Sequence, residues 1–356
     1  MVVPNQRHGG LARTIAIVSI MSNHAVNMVY DNYNDQIGEF ISSSNFSMLF
    51  KAGVSVFSRL GVPIFLMLTG ALVLNRTFTD NDSIKKYYKE NVGGILITTE
   101  FWYLIMFLYL SWDSGQSLDG ILLNALFVNQ RSFGSMWYMP MILCVYIILP
   151  FFIVFLSGFS VKFIFLPLIL VFVDGMLIPE INALLALFEI NKTFTFSISL
   201  CDLFSVYWLY VFSGYLINKM KNMGKLRYIY FFIVFFSISV WFQYIAYSRE
   251  MNFLLKYQSP IILISSIFLF KVLIGIEIKN VAMCKIITFI SKISFGLYFV
   301  HIIIMYSIDK YLDWPYNNRP MQFFFLMFFT SILSLLFISI SCKSKWVRKI
   351  CYRIKS

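Results

Sequence analysis

The sequence predicts an all-α integral membrane protein, a bundle of about ten transmembrane helices with both termini in the cytoplasm. The 356 residues are 59% hydrophobic and 13% charged, which is too apolar for a protein surrounded by water. Apolar runs of about 20 residues, the length that crosses a bilayer, recur along the whole chain. Most lysines and arginines lie in every second segment between these runs, on the side that the positive-inside rule predicts to be cytoplasmic.

Ten apolar segments are long enough to cross a membrane, and they must be helices because backbone groups in lipid have to be hydrogen-bonded internally. They cover residues 11–29, 52–75, 92–111, 137–156, 163–179, 203–218, 228–247, 259–276, 287–307 and 321–341. The polar stretches between them are loop-sized. We therefore expect a single membrane domain over residues 1–356.

The net charge of +12 does not indicate a nucleic-acid partner, because the basic residues are concentrated in the segments predicted to be cytoplasmic. We expect no nucleic acid and expect membrane lipids as partners. The basic tail 342–356 is predicted to remain cytoplasmic and to contact anionic headgroups. A specific partner site in the tail is the alternative.

The first segment carries Arg13 and His24, two ionisable residues that are costly in hydrocarbon and so indicate a functional position. Their separation of eleven residues places both on one helix face, about 16 Å apart along the axis. A buried imidazole is favoured in its neutral form, which can accept a proton from a hydroxyl. His24 is therefore a candidate general base, and an ordinary interhelical hydrogen bond is the alternative.

The second segment contains Arg59, followed by Gly61 and Pro63, which predict a break in the helix. Arg59 either lines a polar cavity at this break or reaches out to the membrane surface. Arg76 follows the segment at its cytoplasmic end, where a guanidinium group suits a phosphorylated soluble donor.

Three titratable residues are predicted to lie at a similar depth in the membrane: His24, Glu100 and His301. His301 is a second candidate base, although Tyr298, three residues earlier, can also satisfy its hydrogen bonding. Trp137 is a candidate acceptor contact, with interfacial anchoring as the alternative. The five cysteines lack metal-ligand spacing, and no zinc signature, Gly-rich phosphate loop or G-x-S-x-G motif occurs, so no metal is predicted.

TGALV at 69–73 and SGYLI at 213–217 are weakly similar in sequence. An internal repeat would indicate a transporter. Two helices that each need a small residue for close packing would produce the same pattern.

Five ordered blocks of the sequence resemble the integral membrane acyltransferases of family 3, whose bacterial members O-acylate surface carbohydrates. The blocks are R-x10-H at Arg13 and His24, VPIFLMLTGALVLNR at 62–76, SMWYMPMILCVYIILP at 135–150, FSGYLINK at 212–219 and ISKISFGLYFVH at 290–301. The resemblance covers about the whole chain. It departs at Lys85 and Lys86, where related proteins often carry arginines.

The resemblance implies an acyl-CoA donor, most often acetyl-CoA, and a carbohydrate or lipid-linked glycan acceptor at the bacterial inner membrane. It implies that His24 is the catalytic histidine, with Arg13 as its motif partner, and that Arg76 acts on the donor side together with Arg13. Arg59, Glu100, Tyr298, His301 and Trp137 are expected to support the site or the acceptor pocket. His24 would act either as a general base or as an acyl carrier.

Two other functions remain open from the sequence. A non-enzymatic carrier that flips lipid-linked sugars would also use intramembrane charges and a broken helix. A succinyl transferase would keep the fold and change the donor.

Overall fold

The computed structural model describes residues 8–31, 45–114, 134–190, 192–195, 205–217, 219, 223–249, 255–312 and 318–354. All regular secondary structure in these ranges is helical, and no strand occurs there. The prediction of an all-α membrane protein is confirmed.

The α-helices in these ranges vary in length from short connecting helices to long apolar ones. They are α1 His8–Asp31, α2 Asn45–Ser58, α3 Gly61–Val73, α4 Asn81–Tyr87, α5 Gly93–Ser114, α6 Tyr138–Gly158, α7 Lys162–Phe172, α8 Ile178–Leu187, α9 Tyr207–Ile217, α10 Lys225–Ser248, α11 Pro260–Ile274, α12 Val281–Tyr311, α13 Arg319–Ser341 and α14 Lys345–Ile350. Two π-helical turns, Tyr88–Val92 and Val173–Leu177, continue α4 into α5 and α7 into α8. A 3₁₀ turn, Gly134–Trp137, precedes α6.

Every predicted apolar segment falls on a helix, and seven described stretches are long and apolar enough to cross a membrane. These stretches are Asn45–Val73, Asn81–Asp113, Tyr138–Gly158, Lys162–Leu187, Lys225–Ser248, Val281–Tyr311 and Arg319–Ser341. Of the three remaining predicted segments, the one on α1 contains Arg13, Asn23, His24 and Asn27, and those on α9 and α11 have helices of only 11 and 15 residues. The count of ten crossings and the cytoplasmic termini stay predictions.

The chain forms two compact units, each assembled from segments that are distant in sequence. Unit 1 comprises Met1–Asn75, Gly158–Ser291 and Trp314–Phe324. Unit 2 comprises Arg76–Ser157, Lys292–Asp313 and Phe325–Ser356. The expectation of one domain over residues 1–356 stays a prediction.

In unit 1, α3 and α9 cross with their backbones in contact at two glycines. A Cβ atom added to Gly70 would overlap the carbonyl of Val211, and one added to Gly214 would overlap the carbonyl of Met67. Only glycine permits such an approach between two helices. The need for glycine at this close contact is sufficient to explain the sequence similarity between TGALV and SGYLI.

In unit 2, the end of the basic tail is packed against α5. Cys351 and Tyr352 are each 2% exposed. The indole N–H of Trp102 donates to the carbonyl of Cys351 at 2.8 Å, and Arg353 donates to the carbonyl of Asn91 at 3.0 Å. The tail is thus anchored to the protein by its last described residues.

The remainder of the tail presents a basic surface. Lys343, Lys345 and Lys349 are exposed. Burial raises the pKa of the Cys351 thiol to about 11, which keeps this anchoring residue neutral. The predicted contact with lipid headgroups would be made by these lysines, and it stays a prediction. Residues 355 and 356 of the tail lie outside the described ranges.

Candidate functional site

Helix α1 carries Arg13 and His24, the two candidate catalytic residues. The helix is continuous over His8–Asp31, so the two side chains lie within about 20° around the axis and about 16 Å along it. Both are half-buried, whereas Ala12 and Ala25 beside them are 0% exposed. The structure therefore holds both residues against protein and leaves part of each side chain accessible.

Next to His24, α1 is hydrogen-bonded to the end of α2. The hydroxyl of Ser58 donates to Oδ1 of Asn23 at 3.2 Å. One turn earlier on α1, the Ser19 hydroxyl lies 2.8 Å from the carbonyl oxygen of Phe57 and 3.1 Å from that of Ser58. Ser19 and Ser58 are 0% and 1% exposed, so the two serines are buried, while Asn23 is half-buried.

The second predicted span is interrupted between α2 and α3, as Gly61 and Pro63 predict. Pro63 has no N–H, so the carbonyl of Arg59 cannot receive the usual bond from the residue four positions later. The N–H of Leu60 instead donates to the carbonyl three residues back, at 3.1 Å. A Cβ at Gly61 would lie 2.7 Å from the carbonyl oxygen of Ala16, so glycine allows the break to approach α1.

Arg59 at this break interacts with the loop between α10 and α11. Its guanidinium carbon lies 5.5 Å from the ring centroid of Tyr257, and the two side chains are hydrogen-bonded. Burial raises the pKa of Tyr257, while the charge of Arg59 acts in the opposite direction. Arg59 is therefore held by an aromatic partner within unit 1, and both interpretations, a polar cavity and a position at the membrane surface, stay predictions.

Arg76 belongs to unit 2 and lies exposed in the segment between α3 and α4. The nearby Lys85 pairs with Asp82 at 3.1 Å, and Lys86 approaches Glu90 at 4.0 Å. Both are exposed pairs within one turn of helix, which contribute little to stability. Arg76 remains the candidate of this segment for binding a soluble anionic donor.

His301 in unit 2 is fully buried in α12. Its Nδ1 lies 2.6 Å from the carbonyl oxygen of Leu297, and because a carbonyl only accepts, Nδ1 is the donor. The ring of Tyr298 lies 6.3 Å from that of His301 and 5.7 Å from that of Tyr138. Of the two candidate bases, His24 is the one with accessible surface.

Glu100 and Trp137 are the remaining candidates of unit 2. Glu100 is half-buried in α5. Trp137 is 37% exposed and stands edge-on to Tyr138, with the ring centroids 6.2 Å apart. This exposure suits an interfacial anchor as well as an acceptor contact.

The candidate residues are thus divided between the two units. Unit 1 holds Arg13, His24 and Arg59, and unit 2 holds Arg76, Glu100, Trp137, Tyr298 and His301. The common depth predicted for the two histidines and Glu100 involves both units and stays a prediction.

Unit 1 also contains a buried cationic and aromatic cluster that was not predicted from the sequence. Lys51 is 7% exposed, and its ammonium lies 4.6 Å from the ring centroid of Tyr247 and 5.5 Å from that of Tyr30. The predicted segment began at residue 52, which left Lys51 in an outer loop. Its apolar neighbours Phe50 and Ala52 were the signal that α2 starts earlier.

The family model described as an acyltransferase domain matches residues 10–339, which is nearly the whole chain. Comparisons with curated proteins and with solved structures gave no match. The seven apolar stretches agree with a multi-pass membrane protein. The chain therefore belongs to acyltransferase family 3 and is a membrane acyltransferase.

Proposed function

We propose that this enzyme transfers an acetyl group from cytoplasmic acetyl-CoA to a sugar hydroxyl of a bacterial surface polysaccharide, such as O-antigen, or of its lipid-linked precursor. The observation that supports it best is that Arg13 and His24 are both half-buried on one face of α1, in a protein of the acyltransferase family. The enzyme acts in the bacterial inner membrane. Its resemblance to enzymes that O-acylate surface carbohydrates favours this acceptor.

His24 is proposed to act on the proton of the acceptor hydroxyl. As the sugar oxygen bonds to the thioester carbon, the neutral imidazole takes the proton, and it returns that proton to coenzyme A when the carbon–sulfur bond breaks. Alternatively, an imidazole nitrogen attacks the thioester carbon, releases coenzyme A and holds the acyl group until the sugar oxygen displaces it. Both routes require a partly accessible ring, and the half-buried position of His24 supports this.

Arg76 and Arg13 are proposed to bind the donor. Coenzyme A carries phosphate groups, and the planar guanidinium fork of arginine matches phosphate oxygens. Arg76 is exposed to a soluble molecule, and Arg13 lies on the same helix face as His24, closer to the end predicted to be cytoplasmic.

Arg59, Glu100, Tyr298, His301 and Trp137 are proposed to support the site or the acceptor pocket. Arg59 offers a cation beside an aromatic ring, a combination that suits a polar glycan. His301 is enclosed by protein and is proposed to support the site from within α12 rather than to contact the reacting atoms.

The direct test is the variant His24→Ala in membranes supplied with labelled acetyl-CoA and glycan. We expect transfer to fall by at least about a hundredfold, because loss of a general base typically costs that much. Asn27→Ala is the matched control, since Asn27 is an exposed polar residue of the same helix. Full activity of His24→Ala at normal abundance would exclude His24 as base or carrier.

Family membership favours an enzyme over a carrier of lipid-linked sugars. Release of coenzyme A by membranes with and without the protein distinguishes the two, because a carrier needs no acyl donor. Mass spectrometry of surface glycan from expressing and non-expressing cells identifies the group as acetyl or succinyl and gives the modified sugar.

A further inference from the structure

We propose that Ser58 and Asn23 are positioning residues for His24, so that the hydrogen bond between α1 and the broken end of α2 sets the direction of the imidazole. The inference rests on the proposed function of His24. The bond joins the hydroxyl of Ser58 to Oδ1 of Asn23, the residue immediately before His24.

The break in the second span makes the end of α2 able to bind α1. A regular helix uses each carbonyl for the N–H four residues later, but the chain turns tightly at Leu60 and Pro63 has no N–H. The carbonyl of Phe57 accepts from the N–H of Leu60, and the carbonyls of Phe57 and Ser58 also lie within hydrogen-bond distance of the Ser19 hydroxyl, at 2.8 and 3.1 Å. Polar groups at a break in a membrane helix need such a partner.

Two contacts one turn apart determine both the axial position and the rotation of α1. Ser19 and Asn23 are separated by four residues and therefore lie on the same side of the helix. A purely apolar interface would allow α1 to slide or rotate, whereas these bonds are directional. The next residue, His24, projects about 100° further around the axis, so its direction follows from that of Asn23.

The surroundings of the two contacts are tightly packed. Ser19 and Ser58 are almost completely enclosed, and Gly61 lets the α2–α3 break approach the backbone of α1 at Ala16. The Ser58 hydroxyl also lies 2.6 Å from the carbonyl oxygen of Ser55, so its one proton is shared between this carbonyl and Oδ1 of Asn23, and the hydroxyl stays at the helix end. Interhelical hydrogen bonds in membranes contribute modestly to stability, so the loss of this bond is expected to affect geometry more than folding.

The experiment compares Ser58→Ala with Ser22→Ala in the full-length protein in detergent. Like Ser58, Ser22 is buried, and it lies on α1. Its hydroxyl donates to the carbonyl of Val18 in the same helix at 2.9 Å. Modification of His24 by diethyl pyrocarbonate is followed by mass spectrometry of its peptide, with the buried His301 as internal reference. This readout does not depend on activity.

For Ser58→Ala we expect the modification rate of His24 to change severalfold, while Ser22→Ala keeps the wild-type rate. We also expect kcat for acetyl transfer to fall about tenfold or more with an unchanged KM for acetyl-CoA, because small displacements of a reacting group are costly. Ser58→Thr, which keeps the hydroxyl, should recover both values.

A wild-type modification rate and wild-type kcat in Ser58→Ala would overturn the proposal. So would a lower yield of folded protein whose kcat is unchanged, because that result describes a structural role alone. If the wild-type protein transfers no acetyl group, the proposed function fails, and the His24 modification rates still decide whether Ser58 positions the ring.

Discussion

Arg13 and His24 keep a fixed relative geometry because both lie on one continuous helix, which makes this relation a local property of the sequence. Eleven residues of continuous α1 fix their angle and separation whatever surrounds them. The partner of Asn23 could not be predicted in this way, since Ser58 lies 35 positions away. Serines in membrane segments commonly bond to their own helix, and nothing local distinguishes Ser58 from Ser22.

A substitution at Arg59 can distinguish the effect of its positive charge from that of its planar guanidinium group. Arg59→Lys keeps the positive charge but loses the planar group that packs beside Tyr257, with 5.5 Å between the guanidinium carbon and the ring centroid. If Arg59 serves the acceptor, the KM for glycan should rise severalfold while the KM for acetyl-CoA stays constant. Steady-state kinetics with each substrate varied in turn checks this.

The matched control is Arg249→Lys, because Arg249 also lies beside an aromatic ring of unit 1, that of Phe188, at 5.8 Å. Equal glycan KM values for the Arg59 variant and the wild type would remove Arg59 from the acceptor pocket.

At the level of helices, hydropathy located every apolar segment, and composition located the break after Arg59. Pro63 and Gly61 have an intrinsic effect on the backbone, so the interruption is visible without tertiary information. The start of α2 at Asn45, seven residues before the predicted boundary, is indicated only by the apolar residues on either side of Lys51. Its first turns include Lys51, whose burial depends on aromatic rings from α1 and α10.

The crossing of α3 and α9 predicts an unusually severe effect for a small substitution. Gly70→Ala should prevent correct folding, because the new methyl group would overlap the carbonyl of Val211 in a backbone that has no room to move. The yield of monodisperse protein after detergent extraction measures the effect.

Gly53→Ala is the control, since a Cβ at Gly53 meets nothing within 4 Å and alanine is the better helix former. Normal yield of Gly70→Ala would show that the two backbones are not in contact.

For the whole molecule, the charge distribution predicts a cytoplasmic tail but does not predict that the tail packs against other helices. Its lysines suggest only retention and lipid contact. The contact of Ile350 with Thr98, a hydrogen bond of 2.6 Å, joins residues 252 positions apart, and no local pattern in the tail reveals it. The tail is therefore a structural part of unit 2.

We expect Tyr352→Ala to destabilise unit 2 by about 3 kcal/mol, a typical value for truncating a buried aromatic residue. Tyr352 is 2% exposed, its ring centroid lies 6.0 Å from that of Trp102, and its hydroxyl lies 2.7 Å from that of Ser341. Thermal unfolding in detergent should show a lower midpoint.

Lys349→Gln, which removes an exposed charge from the same segment, should leave that midpoint unchanged. A midpoint for Tyr352→Ala equal to that of Lys349→Gln would mean that the tail does not support unit 2.

The position of these anchoring residues has a consequence for biosynthesis. Cys351 and Arg353 follow their partners Trp102 and Asn91 by 249 and 262 positions, so unit 2 cannot complete its packing until the tail has been synthesised. Until then, its apolar helices are inserted in the bilayer without their last contacts. A stop codon at Ser344 would thus give a polypeptide that keeps the apolar helices of unit 2 but lacks the residues that complete their packing.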